Sequence, residues 1–385
     1  LLRLRDNGIL QPVDFAHLES LMHPRRIATR FPLGLAALLG LAFIWSSTGA
    51  GEKKKEVWTD PQDATLPRDF AIQGEYVGTI EGGGKLAAQV ISLGKGAFQA
   101  VFLPGGLPGD GWDGMNKILL DGLLDGDQAS FLPATGKRRY LAQSPLEFSA
   151  TSKFPPVGQK TYKAVINDAK LVGRTDAGKL FELKKTVRHS PSLGAKPPEG
   201  ALVLFDGKDS SEWNRGRVDK ITGFLNTDGG DIATKKKFNN YTMHVEFLLP
   251  YRPDARGQGR GNSGFYQVNH YEVQILDSFG LDGKNNECGG VYTLLEPKVN
   301  MCLPPLVWQT YDADFTNAIR DESGKIVQKS KLTLKHNGVV IHDNAELKNP
   351  TGGARSEPEG TPGPILLQGH GNPLQFRNLW IVEKK

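Results

Sequence analysis

The sequence predicts an all-β chain, with a two-sheet antiparallel sandwich of jelly-roll type over residues 201–385 and a small antiparallel β-rich domain over 70–187. Three observations predict it. The 46 glycines and 24 prolines, many in GG, PG, DG and GN pairs, suit short strands joined by tight turns. Apolar and polar residues alternate along many short runs, the period of a half-buried strand. No stretch of the second half carries a convincing helical period.

In chain order, the first fifty residues read as processing sequence. MHPRRIATR (22–30) is basic, LGLAALLGLAFIW (33–45) is apolar and SSTGA (46–50) ends in small residues. That succession is the pattern of a secretory signal, with Ala50 the expected last residue removed and export to the periplasm or the exterior the expected destination. Met22 reads as the start, and residues 1–21 as upstream misannotation. The apolar run is short for a membrane span, so no integral span is expected after signal removal. Residues 51–70 are charged and proline-containing and read as mobile.

From 70 to 187, YVGTI, LAAQVISL, AFQAVFL, KTYKAVI and KLFELKKTV read as strands separated by glycine-rich turns. GGLPGDGW (105–112) is followed by no GK[ST] and opens no helix, so it reads as a structured loop and not a phosphate cradle. HSPSLGAKPPEG (189–200), with paired prolines and no apolar period, lies in a linker over 188–200. Beyond it, YTMHVEFLL, SGFYQV, YEVQIL, PILLQGH and FRNLWIVE read as strands. LKHNGVVIHD reads as a hairpin turning at Asn337-Gly338.

Composition narrows the function. The formal charge of +5 is a small excess and gives no case for nucleic acid. The two cysteines, Cys288 and Cys302, would allow one disulfide in an exported chain, and no set of zinc ligands at the usual spacing is present. No GxSxG elbow supports a serine hydrolase.

The densest polar and aromatic segment is RGNSGFYQVNHYEVQILDS (260–278). Tyr271, Val273 and Ile275 would share one strand face, with His270, Glu272 and Gln274 on the other. A solvated strand edge explains that polar row, and so does a sugar site, which needs amides and carboxylates for hydroxyls and flat rings for pyranose faces. A second cluster, PILLQGHGNPLQFRNLWIVE (364–383), carries Gln368, His370 and Arg377. Asp277 and Asp312 add carboxylates, while Tyr266, Trp308 and Tyr311 supply rings.

The second domain resembles the 3-keto-disaccharide hydrolase domain family of concanavalin A-like jelly rolls. The resemblance rests on LFDGKDSSEW (204–213), GGDIATKKKFNNY (229–241), GNSGFY (261–266), YEVQILDS (271–278), VWQTYD (307–312), NGVVIHDN (337–344) and GPILLQGHGNPLQFRNLWI (363–381). It implies a carbohydrate substrate, cleavage of a glycoside already oxidised at C3, and a separate sugar 3-oxidoreductase upstream. Within it Glu272 is the expected base and His370 the expected acid/base. Tyr266, Gln274, Asp277, Trp308, Gln368 and Arg377 are the expected substrate contacts. A divalent metal ion is the one cofactor such chemistry would invite, although QGHG at 368–371 departs from a more acidic pairing in the family. A non-catalytic carbohydrate-binding module on the same jelly roll is the alternative.

Overall fold

The computed structural model describes residues 2–4, 10–12, 56–353 and 358–384. The apolar run, the signal and Ala50 lie outside the described residues. In a unit spanning Leu1–Lys55, Leu2–Leu4 pairs antiparallel with Leu10–Pro12. The other unit, Glu56–Lys385, holds everything else and is nearly all β.

The expected small β-domain is a closed up-and-down barrel of eight strands. These are β1 (Gly74–Ile80), β2 (Lys85–Gly94), β3 (Ala97–Pro104), β4 (Ile118–Asp125), β5 (Gln128–Pro133), β6 (Lys163–Asn167), β7 (Lys170–Arg174) and β8 (Leu180–Thr186). Each pairs antiparallel with the next, and β8 returns to β1. Closure removes the exposed edges an open sheet would present. Leu86, Ala88, Val90, Phe98, Phe102, Phe131 and Phe181 fill the interior. The intervening Ala87, Ile91, Val101 and Leu103 join the core of the sandwich instead. Both faces of β2 are therefore buried, which is why LAAQVISL reads as a nearly continuous apolar run instead of an alternating one.

The sandwich has a large and a small antiparallel sheet. The large sheet centres on β9 (Tyr241–Leu248), β12 (Trp308–Thr316), β13 (Ser330–His336), β14 (Val339–Leu347) and β16 (Gln375–Glu383), with short strands at one end. The small sheet runs Ile232–Ala233, β15 (Leu366–Leu367), β10 (Ser263–Gln267) and β11 (Tyr271–Ile275). Between them lie Tyr241, Val245, Phe247, Phe265, Tyr271, Val273, Tyr311 and Phe315, all fully buried. The alternation of Tyr271, Val273 and Ile275 thus points to the core as expected. Asn337 and Gly338, with φ of 50° and 82°, form the two-residue turn between β13 and β14.

Two expectations are corrected. The described part of 51–70 is docked: Trp58 is buried and exchanges backbone hydrogen bonds with Tyr251, and a short helix, α1 (Arg68–Ile72), follows. The stretch 188–195 is no free linker but a strap laid across the large sheet. Arg188 grips Glu75 of the barrel through Nε and Nη2 at 2.7 and 2.6 Å. Ser192 Oγ then donates to Asp312 Oδ2 at 2.6 Å, and Gly194 N donates to Glu246 Oε1 at 2.5 Å. Proline pairs rule out regular secondary structure, but they leave a segment free to bond through its remaining groups. Cys288 and Cys302 are buried as free thiols.

Candidate functional site

The polar face of the small sheet gathers part of the expected site. Register opposes Tyr266 to Glu272 and Gly264 to Gln274 on β10 and β11. The Tyr266 hydroxyl donates to Glu272 Oε2 at 2.8 Å, and Gln368 Nε2 lies 3.4 Å from the same hydroxyl. Glu272 is 3% exposed, whereas Gln368 is half-buried and His370 is exposed at the chain turn beyond it. The group is a carboxylate beneath a phenol with an amide toward solvent, and His370 follows two residues after the amide on the exposed turn.

Two glycines make this arrangement possible. A Cβ on Gly264 would lie 2.5 Å from Glu272 Oε1 and 2.9 Å from the Tyr266 ring, so the carboxylate occupies the space a side chain would fill. A Cβ on Gly369 would meet the backbone of Gly229 and Gly230 at 2.3–2.5 Å. That approach leaves no room for any side chain at 369. The carboxylate near this position comes from Asp231, whose Oδ1 accepts from Gly369 N at 3.1 Å. Asn372 steadies the His370 turn, donating to the His370 carbonyl at 3.1 Å and accepting from Gly261 N at 3.2 Å. Thr351 Oγ1 accepts from Glu272 N at 3.0 Å.

The remaining expected contacts are elsewhere. Gln274 shares the face of Glu272, but its amide is committed to Asn262 Oδ1 at 2.8 Å and the Ser263 carbonyl at 3.1 Å. Asp277 turns toward the barrel, where it accepts from Arg260 Nε at 2.6 Å. Trp308 and Arg377 lie on the outer face of the large sheet, the guanidinium 4.1 Å above the indole. They are packed against each other, with Phe224 edge-on to Trp308 at 4.8 Å.

That second face holds a buried charge cluster that the strand patterns did not reveal. His244 and Glu246 are both fully buried on β9. His244 Nδ1 lies 2.6 Å from Asp312 Oδ1, and Nε2 lies 3.3 Å from Glu246 Oε1. Arg377 Nε donates to Glu246 Oε2 at 2.7 Å, and Asn378 Nδ2 donates to Oε1 at 2.8 Å. Burial disfavours the imidazolium, yet the bonds to Asp312 and Glu246 outweigh it and raise the His244 pKa. Burial likewise works against the Glu246 carboxylate. The donors from His244, Asn378 and Arg377 prevail and lower its pKa to about 2. Trp380 stacks on the His244 ring, and the strap covers the group from outside. Every one of these charges is already satisfied by another part of the chain.

The residues that sequence reasoning missed are Thr351 on Glu272, Asp231 and Asn372 on the Gly369–His370 segment, and His244 and Glu246 on the other face. Asp231 lies within GGDIATKKKFNNY and Asn372 within the Gly-Asn-Pro turn, so motif position was the only signal. His244 and Glu246 did alternate with Met243, Val245 and Phe247, but a polar strand face is also what solvent exposure produces. Among the described residues, no cluster of three or more His, Cys, Asp or Glu side chains is arranged to hold a metal. No described helix is long and apolar enough to cross a membrane.

Comparison with known proteins bears on the same segment. The family described as the 3-keto-alpha-glucoside-1,2-lyase-like domain matches residues 200–382. Three solved structures from Parabacteroides distasonis ATCC 8503, each provisionally described as a glycosyl hydrolase, are similar to part of the chain. The first is 34% identical, covers 49% of this chain and 85% of its own, and gives a TM-score of 0.44. The second is 20% identical, with 49% and 95% covered and a TM-score of 0.36. For the third the values are 20%, 48%, 99% and 0.33. TM-scores of this size leave the fold to be read from the chain's own sheets. No curated protein matches.

Proposed function

The chain belongs to the 3-keto-alpha-glucoside-1,2-lyase-like family through residues 200–382 and carries a glycoside hydrolase-like domain, and we propose that it cleaves glycosides already oxidised at C3 of the sugar. The observation that carries this reading is the Tyr266–Glu272 pair set over Gly264, with Gln368 beside the phenol.

A C3 ketone acidifies the neighbouring C2 proton. Glu272 is the base that removes it, leaving an enolate whose charge spreads onto the ketone oxygen. Collapse of the enolate expels the C1 substituent, and His370, at the exposed turn, is the group that would hand a proton to the leaving oxygen. Water then adds back across the C1–C2 double bond, returning the C2 proton. The balance is one glycoside and one water giving one 3-keto sugar and one alcohol. This route needs a single base at C2 and differs from attack by paired carboxylates on an unoxidised acetal.

Tyr266 has two roles in this scheme. Its hydroxyl donates to Oε2, which orients the carboxylate, and Oε1 lies over Gly264; as a hydroxyl beside the base it would also meet a sugar hydroxyl. Gln368 would donate its amide to a sugar hydroxyl or to the ketone oxygen, where negative charge develops. Gln274, Asp277, Trp308 and Arg377 have no part, since each is engaged elsewhere. No step of this scheme runs through a metal ion. The ketone would be supplied by a separate sugar oxidoreductase, and export would put the reaction outside the cytoplasm.

The test is incubation of the full chain with a 3-keto glucoside and with its unoxidised counterpart, following release of the aglycone. Cleavage of the keto form alone, lost in Glu272→Gln, is the expected result. Saturable binding of both sugars without turnover would replace this reading with a carbohydrate-binding module.

A further inference from the structure

Cys288 and Cys302 have no part in the proposed reaction, yet the fold brings them to one place. Each stands in a loop fastened to Ser278, just past β11. Cys288 N donates to Ser278 Oγ at 3.1 Å. Asn300 Nδ2 donates to the Ser278 carbonyl at 2.8 Å, and Asn300 Oδ1 accepts from Cys302 N at 3.0 Å. The two side chains then meet residues two apart, and so on one face, of β12. Cys288 Sγ lies 3.2 Å from the Tyr311 hydroxyl, and Gln309 Nε2 lies 4.0 Å from Cys302 Sγ. The thiols also hydrogen-bond to each other, and both residues are 1% exposed.

The chain between them covers an edge. β11 is the last strand of the small sheet, and an open edge is a row of unpaired backbone groups. Gly289 N donates to the Gln274 carbonyl at 3.0 Å, Gln274 N to the Gly290 carbonyl at 2.8 Å, and Tyr292 N to the Glu272 carbonyl at 2.9 Å. The loop over 288–302 thus begins and ends at the two thiols and lies along the strand that carries Glu272. Little else marks the sulfurs as reactive groups. The Tyr311 hydroxyl gives its hydrogen to the Gln274 carbonyl at 2.7 Å, and Cys302 Sγ faces the Leu276 carbonyl at 3.5 Å, so no strong donor supports a thiolate at either.

We propose that Cys288 and Cys302 form an intramolecular disulfide when the chain folds in an oxidising medium, closing the loop that covers β11. The oxidant is itself a disulfide, either a small one such as oxidised glutathione or that of a protein oxidoreductase. One cysteine thiolate attacks the oxidant and expels a thiol. The second thiolate attacks the protein sulfur of the mixed disulfide and expels the other. Two protein thiols and one oxidant disulfide give one protein disulfide and two oxidant thiols. Burial of both sulfurs puts this exchange during folding, before the loops close over them. The bond would restrict the unfolded chain and hold Gly289–Tyr292 against β11. It does not depend on the activity proposed above.

The full, unaltered chain provides the test. It is unfolded with reductant, refolded in glutathione buffers of graded ratio, quenched in acid, denatured, alkylated and weighed. Chain folded in oxidising buffer should carry no alkyl group and weigh two hydrogens less than the reduced form, whereas chain folded in reducing buffer should carry two alkyl groups. Half-oxidation in native buffer should need about 10²-fold less oxidising glutathione than in urea, as linkage requires of a disulfide that the fold favours. Two alkylated cysteines after folding in oxidising buffer, a glutathione adduct on either one, or a link between two chains overturns the proposal. So does a bond no more favoured in native buffer than in urea.

Discussion

The two outer faces of the sandwich each bury a glutamate, and the two are held in different ways. Glu246 sits on the large sheet between His244, Arg377 and Asn378, and a backbone N–H of the strap closes over it. Glu272 sits on the small sheet with a tyrosine hydroxyl on one oxygen and the missing side chain of Gly264 beneath the other. A carboxylate fixed by cations and deep below its usual pKa is a poor base. Glu272 is oriented by a phenol, beside a half-buried amide.

The largest expected effect breaks this contrast directly. Glu272→Gln should reduce turnover of a 3-keto glucoside by about 10²–10⁴-fold, the range of a lost general base, while the melting temperature stays near that of the parent. Glu246→Gln should do the reverse, costing roughly 3 kcal/mol of stability because it leaves Arg377 without its carboxylate and His244 with Asp312 alone. Equal loss of activity in both variants, with unfolding excluded by circular dichroism, would mean that the wrong face has been chosen.

Gly264→Ala is a finer probe. The added methyl must displace the Glu272 carboxylate, and a shift of about 1 Å can cost roughly 10²-fold in rate. Steady-state kinetics should show the loss mainly in kcat. Tyr266→Phe removes only the orienting hydrogen bond, so a smaller fall of about tenfold is expected, together with a displaced pH–rate profile.

The smallest effect is on pH dependence. The folded-state pKa of His244 is raised, so its contribution is fully present below the unfolded value near 6.5 and is lost as pH climbs through the folded value. Glu246 runs the other way: its folded pKa is depressed, so its contribution is present above the unfolded value and is lost as pH falls toward about 2. Urea denaturation across pH should therefore show an alkaline decline that is absent in His244→Gln, with the acid limb persisting.

Parts of this picture were legible in the sequence. Asn337-Gly338 demanded its turn, and Tyr271, Val273 and Ile275 had to share a face. Motifs brought Glu272, Tyr266 and Gln368 into one group. The period of two assigns residues to sides of a strand, but it does not say which sheet the strand joins or what covers it. Trp308 and Arg377 were therefore grouped with Glu272 although they belong to the opposite face. Closure of the barrel was hidden for a similar reason, since β8 returns to β1 across about a hundred residues. The docking of 188–195 depends on serine hydroxyls and backbone groups that leave no periodic trace.

That strap also limits how the chain can be divided. Excising residues 201–385 would remove Gly194 N from Glu246 and Ser192 from Asp312, opening a cluster of buried ions to water. It would also strip Arg188 from Glu75 and uncover apolar surface that the barrel now shields. A fragment cut at the paired prolines would be an unroofed half-protein, so trimming for expression belongs upstream of Trp58, not between barrel and sandwich.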